Sequence, residues 1–234
     1  MRVLTATIAV FLTCAGAASA NPARYADFNP CLSSTGHPVS ERLVICSETV
    51  AAQTSPKVQV EARMERGKLY MSIADWRRAL ADFLEVVHRA PSFAPGYAAL
   101  AQARAADGNI AGAIKEYDEA IKLEPQNANF WAGRCWMQAR LGRNLGAGLS
   151  DCEQGLSLNP DAYNARGARA FIHLLQRDYG AAISDFDAEL VSAVSDVGAR
   201  AYALYGRGIA KLLEGHDEGR SDLNDAQRID PTIG

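Results

Sequence analysis

A unit of about 34 residues recurs along the chain, and this period limits the folds that the sequence can adopt. Pro91, Pro125 and Pro160 stand 34 and then 35 residues apart, and an amphipathic helical pattern precedes each of them. In the clearest copy, 94–127, apolar residues recur at helical spacing on both sides of the turn 107–109. Such a period predicts stacked helical hairpins rather than a sheet.

Small residues occupy a fixed place in the second helix of four of the units. They are Ala79, Ala113, Gly148 and Ala182, and an aromatic residue or a cysteine follows each of them four positions later. This pattern resembles the tetratricopeptide repeat (TPR) family over roughly 60–231. The resemblance implies an all-α, right-handed α-solenoid of about five helix-turn-helix repeats, with an N-terminal capping helix. The repeats are expected at about 60–93, 94–127, 128–162, 163–196 and 199–231, within a solenoid domain of 60–234.

Two repeats depart from the pattern. Glu189 stands where Ala120 and Gly155 stand in earlier copies, and Val194 replaces the closing proline. Either the second helix of repeat four runs longer, or the packing there is splayed. Repeat three has one extra residue, which we place in a loose turn at 142–148 because this segment contains three glycines.

The first 20 residues have the pattern of a secretory signal peptide. Arg2 precedes an uncharged, mainly apolar run, and Ala18-Ser19-Ala20 is a small-x-small cleavage site. The alternative is a transmembrane helix. The mature protein is therefore predicted to be periplasmic or secreted, with no membrane span once 1–20 is removed. The chain also resembles a group of exported proteobacterial TPR proteins, through its cysteine-bearing N-terminal segment and the segment 205–211, which implies a periplasmic location.

Residues 21–59 are predicted to form an N-terminal arm and a capping helix. Residues 21–39 are rich in Pro, Ser, Asn and Gly, which favours an extended arm, and Ser40 is a candidate cap for a helix that reaches about Ala52. Terminal units of repeat arrays are atypical because they cover an exposed apolar face. At the other end, the polar helix 217–229 is predicted to serve as its own cap.

Four cysteines remain when Cys14 leaves with the signal peptide. Cys135 lies midway along the first helix of repeat three, and Cys152 lies on the second helix, at places that an antiparallel hairpin brings opposite each other. This predicts a Cys135–Cys152 disulfide and, for the remaining two cysteines, Cys31–Cys46. The alternative is buried thiols that fill space.

Charge and motifs do not indicate an enzyme. The chain has 24 basic and 27 acidic residues, for a net charge of −3, which does not favour a nucleic-acid groove. It contains no phosphate-binding loop, nucleophile elbow or zinc-protease motif. Its four histidines are scattered, and the two that an enzyme would have to use, His173 and His216, are predicted to lie in the core and at a turn. We therefore predict no catalytic residue, no cofactor, no metal and no nucleic-acid partner.

The remaining candidate is the concave groove that the TPR resemblance implies. Transferred repeat by repeat, it would contain Met64, Lys68, Met71, Gln102, Asn129, Trp136, Arg140, Phe171, Tyr202 and Tyr205. Aromatic and arginine side chains are typical of binding hot spots. The predicted function is a periplasmic, non-enzymatic adaptor that binds a protein or peptide there. The alternative is a structural or self-associating component of a cell-envelope assembly, with Trp136 and Phe171 packing only between repeats.

Overall fold

The computed structural model describes residues 29–52 and 54–233, which form twelve α-helices. Their bounds are α1 Pro30–Ser33, α2 Val39–Ala51, α3 Pro56–Ser72, α4 Trp76–Arg89, α5 Ala94–Ala106, α6 Ile110–Leu123, α7 Ala128–Leu141, α8 Leu145–Leu158, α9 Tyr163–Leu175, α10 Tyr179–Ser192, α11 Val197–Glu214 and α12 Gly219–Ile229. These ranges contain no β-strand, and the predicted all-α fold is confirmed. The predicted signal peptide, 1–20, lies outside the described residues.

The chain divides into two compact units, between Arg66 and Gly67. In the first unit, polar contacts hold α2 against the beginning of α3. The side-chain amide of Gln59 donates to the carbonyl of Ala52 at 2.8 Å, and Arg42 forms an ion pair with Glu65. A hydrogen bond and an ion pair therefore hold α2 against α3 within the first unit.

The Cys31–Cys46 disulfide joins α1 to α2, and neither cysteine is accessible to solvent. Two sequence expectations need correction here. The arm is not extended throughout, because Asn29 caps a short helix through its side chain, which accepts from the backbone N–H of Cys31. Helix α2 begins at Val39, so Ser40 lies inside its first turn and Pro38 is at the cap.

In the second unit each helix packs on the next one along the chain. The first helices of successive hairpins also touch, since α5 contacts α7, α7 contacts α9, and α9 contacts α11. No such contact joins α6, α8 and α10, all of which are described in full. Helices α5, α7, α9 and α11 therefore form the inner layer of the stack, and the second helices lie outside them.

Most turns are short and capped by the side chain that precedes a helix. Asn109, Asn127, Asp178 and Asp196 each accept a hydrogen bond from a backbone N–H in the helix that follows. The prediction of a loose loop at 142–148 is wrong. Helix α7 ends at Leu141, so the turn is only 142–144, and Gly142 takes the left-handed conformation (φ +65°) that closes it. The extra residue of repeat three lengthens α7 to 14 residues, against 13 in α5.

Repeat four does not contain a longer second helix. Helix α10 has 14 residues, as α6 and α8 do. The longer helix is α11, the first helix of repeat five, which has 18 residues and begins at Val197. Helix α11 continues to Glu214, where Gly215 in the left-handed conformation ends it. The last helix therefore begins at Gly219, two residues later than the sequence indicated.

A repeated arginine–aspartate pair, which sequence reasoning missed, joins the two helices of each of the last three hairpins. In each pair the guanidinium donates two hydrogen bonds of 2.6–2.8 Å to one carboxylate; the pairs are Arg134–Asp151, Arg169–Asp185 and Arg207–Asp222. Arg134 also reaches Asp118 of the preceding hairpin at 2.7 Å. The arginines therefore link the helices of one hairpin, and Arg134 and Arg207 also reach the preceding hairpin, the latter through Asp187 at 2.6 Å.

Burial predicts unequal contributions from the two partners of Arg134. Asp151 is 7% exposed and Asp118 is 49% exposed. Asp151→Asn is expected to lower the free energy of unfolding by about 2 kcal/mol, since a hydrogen-bonded charge is lost inside the protein. Asp118→Asn is the matched control and should cost under about 0.5 kcal/mol. Urea denaturation followed by circular dichroism measures both, and equal losses would contradict the assignment.

Candidate functional site

A cavity of about 740 Å³ lies along the inner layer of the second unit. Helices α5, α7, α9 and α11 supply most of its lining, and Tyr117 of α6 and Glu189 of α10 complete it. Five of the ten predicted groove residues line it: Gln102, Asn129, Trp136, Arg140 and Tyr202. The inner faces of four consecutive hairpins therefore contribute to one site.

The other predicted groove residues lie elsewhere. Phe171 is not part of the lining, although it contacts Trp136. Lys68 and Met71 of α3 and Tyr205 of α11 are also outside the lining, and Met64 belongs to the first unit. The site is thus narrower than the strip that the repeat pattern implied.

Trp136 forms the centre of an aromatic cluster. Its ring centroid is 5.8 Å from that of Phe171 in a tilted arrangement, and 5.2 Å from that of Tyr202 in an edge-to-face arrangement. Trp136 therefore packs between repeats and also lines the cavity. Such contacts fix the indole ring and leave part of it exposed as a rigid apolar surface.

Glu189 is the polar group that sequence reasoning did not recognise as part of the site. It is only 3% exposed, it lines the cavity, and its Oε2 has no hydrogen-bond partner among the described residues. Gly167 faces it across the α9–α10 contact, and a Cβ added there would lie 2.6 Å from Glu189 Oε1. Burial first, and then the charges of Asp185 and Asp196, raise the pKa of the Glu189 carboxyl to about 8.

Two tyrosines, Tyr163 and Tyr202, and Arg140 are further polar residues of the lining. The hydroxyl of Tyr163 donates to Asp196 Oδ2 at 2.9 Å, and this hydrogen bond raises the pKa of the phenol. Burial, and then the charge of Glu189, raise the pKa of Tyr202. Both phenols therefore stay protonated near neutral pH. Arg140 is exposed and forms no ion pair with the described residues.

The lining brings cationic, acidic and aromatic groups together in one cavity. An unpaired guanidinium and a buried carboxyl line one cavity with fixed aromatic rings. In the described part of the chain, no three His, Cys, Asp or Glu side chains converge in the way that metal ligands do. No helix within the described ranges is long and apolar enough to cross a membrane.

At the level of sequence, no family model and no curated protein matches the chain. Solved structures do match. The APC/C hetero-tetramer Cut9–Hcn1 superposes with a TM-score of 0.74 at 17% identity, over 82% of this chain. This chain spans 37% of the length of the chain that it matches there.

Two further structures carry the name of the repeat. A tetratricopeptide repeat protein from Parabacteroides merdae ATCC 43184 matches with a TM-score of 0.67 at 12% identity, over 81% of this chain and 73% of its own. YrrB, a TPR protein with an unusual peptide-binding site, matches with a TM-score of 0.53 at 18% identity, over 80% of this chain and 93% of its own.

The chain is therefore an α-solenoid protein built from nested helical hairpins. Its fold is the tetratricopeptide repeat fold, as the sequence resemblance implied.

Proposed function

We propose that this protein is a non-enzymatic adaptor that binds a peptide segment of a partner protein in its inner cavity. The observation that carries this proposal is the 740 Å³ cavity, which presents the fixed rings of Trp136 and Tyr202 beside the unpaired guanidinium of Arg140. A concave site with an apolar lining and a few polar groups is the usual form of a binding pocket. YrrB, which shares the fold, has a peptide-binding site of its own.

Preorganisation is the physical basis of the proposed binding. Trp136 is already held by Phe171 and Tyr202, so little side-chain entropy is lost when a partner covers it. Arg140 can form a charge-assisted hydrogen bond with a carboxylate of the partner. The aromatic rings would supply most of the affinity, and Arg140 would fix the orientation of the segment.

We also propose that the protein is exported to the periplasm or secreted. The support is chemical, since both disulfides are formed between cysteines that are wholly buried. Disulfides persist in oxidising compartments and are rare in the reducing cytosol. The predicted cleavage after Ala20 would leave the four bonded cysteines in the mature protein.

Loss of the aromatic and cationic groups is expected to weaken peptide binding. The probe is a random dodecapeptide library displayed on phage, from which bound sequences are selected and synthesised. Trp136→Ala with Arg140→Ala should weaken the affinity of these peptides about 30-fold or more, as expected for two hot-spot residues. Isothermal titration calorimetry measures the affinity, and circular dichroism checks that the variant stays folded.

Two controls make the result specific. Arg140→Ala alone alters an exposed side chain and should retain the fold while lowering affinity. Arg220→Ala removes a charge at a 77% exposed position on α12 and should leave affinity unchanged. If no peptide is enriched, and light scattering shows assembly that rises with concentration and is insensitive to Trp136→Ala with Arg140→Ala, the protein is instead a self-associating structural component.

A further inference from the structure

Glu189 lies at a buried position, where a carboxyl group lowers the stability of the fold unless a hydrogen bond or an opposite charge compensates for its burial. The equivalent places in earlier repeats hold Ala120 and Gly155, which allow close packing of the two helices. Burying an ionisable group without a hydrogen-bond partner is unfavourable, and such groups are rare in stable interiors. The missing side chain of Gly167 makes room for the carboxyl, so the cavity wall is shaped around it.

The carboxyls around Glu189 are already satisfied. Asp185 accepts two hydrogen bonds from Arg169, and Asp196 accepts from the hydroxyl of Tyr163 and from a backbone N–H. Glu189 is the one member of this group that lines the cavity and retains an oxygen with no partner in the described part of the chain. The charges of Asp185 and Asp196 act on Glu189, whose carboxyl is part of the cavity wall.

We propose that Glu189 binds the ammonium group of a lysine side chain on the peptide that occupies the cavity, an inference that rests on the proposed function. The carboxylate would accept a charge-assisted hydrogen bond from the ammonium. The rings of Trp136 and Tyr202, which line the same cavity, favour a cation near their faces. The partner segment is thus a lysine-containing peptide.

Lysine fits this arrangement better than arginine does. The ammonium is a compact charge at the end of a slender, unbranched stem, whereas the guanidinium is a planar fork that needs two acceptors. The two oxygens of Glu189 lie 2.6 and 2.8 Å from the place that a Cβ on Gly167 would occupy, so α9 covers one side of the carboxylate and leaves little room for a planar fork. Arg140, which lines the same cavity, also provides a place where an acidic residue of the peptide could pair.

Binding of a cation at Glu189 must be linked to release of a proton. With a pKa of about 8, the free carboxyl is about nine-tenths protonated at pH 7. An ammonium favours the ionised form, so affinity should fall about tenfold per pH unit below pH 8 and level off above it. The other charged or titratable groups near the carboxyl are Asp185, Asp196, Tyr163 and Tyr202.

The test uses the mature protein and pools of heptapeptides that are acetylated at the N-terminus and amidated at the C-terminus. The central residue is lysine, arginine, norleucine or acetyllysine, and the flanking positions are random but contain no lysine or arginine. The wild-type protein should bind the lysine pool about tenfold more tightly than the norleucine pool. Glu189→Gln, which keeps the shape of the side chain, should reduce this preference to less than about twofold while it still binds the norleucine pool.

Calorimetry in phosphate and in Tris buffer gives a second readout, because the two buffers differ in ionisation enthalpy. Lysine peptides should release close to one proton at pH 7 from the wild-type protein and none from Glu189→Gln. Asp217→Asn, at a 93% exposed position, is the matched control and should behave as wild type in both measurements.

Each other result overturns the inference. Equal binding of the lysine and norleucine pools would remove it and leave the proposed function intact. A lysine preference that survives Glu189→Gln would assign recognition to another group. A preference for the arginine pool over the lysine pool, or equal binding of the acetyllysine and lysine pools, would reject the choice of ligand. Failure to bind any pool would reject the proposed function as well.

Discussion

Glu189→Gln is expected to remove a loss of stability that the wild-type protein suffers as pH rises. In the folded protein the pKa of Glu189 is about 8, against an ordinary value of 4.5. Between these two pH values the folded state holds a proton that the unfolded state has released, so the free energy of unfolding falls as pH increases. Integrated over this pH range, the free energy of unfolding falls by about 3–5 kcal/mol. The loss is complete above pH 8 and absent below about pH 4.

The measurement is the pH dependence of urea denaturation from pH 5 to pH 9 for the two proteins. At pH 5 the neutral carboxyl and the amide are similar, and the two free energies of unfolding should lie close together. At pH 9 the glutamine variant should be the more stable one. Asp217→Asn should follow the wild-type curve, and parallel curves for wild type and Glu189→Gln would show that the carboxyl ionises normally.

The repeat period predicted the fold because it reports a local property. The helix start at Trp76 follows from the spacing of apolar residues and from its capping residue Asp75, and the start at Ala94 follows from the spacing and from Pro95 in the first turn. The lengths of the helices at the end of repeat four and in repeat five did not follow. Val194 marks where the pattern fails, but only packing decides that α10 keeps its length and α11 grows.

The candidate site was harder to predict, because its residues come together through packing of different hairpins. Glu189 was visible as a departure from the small residues that precede it, yet its meaning depends on Gly167 and on the cavity lining. The arginine–aspartate pairs had a signal that could have been found. Arg134 and Arg169 precede Asp151 and Asp185 by 17 and 16 residues, which is the distance across one hairpin.

The second large effect is expected from removal of the disulfide that joins α7 to α8. Cys135 and Cys152 are separated by 17 residues and are both wholly buried, beside Ile172 and Ala168. Replacing both cysteines with alanine should lower the free energy of unfolding by about 3 kcal/mol, because the unfolded chain regains the freedom that the bond removed. Since neighbouring repeats stabilise one another, hydrogen exchange should increase most in α7 and α8.

The double variant Cys31→Ala, Cys46→Ala allows the effect of the Cys135–Cys152 disulfide to be measured by itself. In that background a reductant can act only on Cys135–Cys152, so dithiothreitol should cause the same loss of about 3 kcal/mol that the Cys135→Ala, Cys152→Ala variant shows without it.

Protein isolated from its native compartment and unfolded without reductant should not react with iodoacetamide at any of the four cysteines. Reaction at all four would mean that the protein resides in a reducing compartment, and the proposal of export would then be wrong. Reaction at Cys135 and Cys152 alone would leave export in place and show that the inner hairpin is held by packing and by its arginine–aspartate pair.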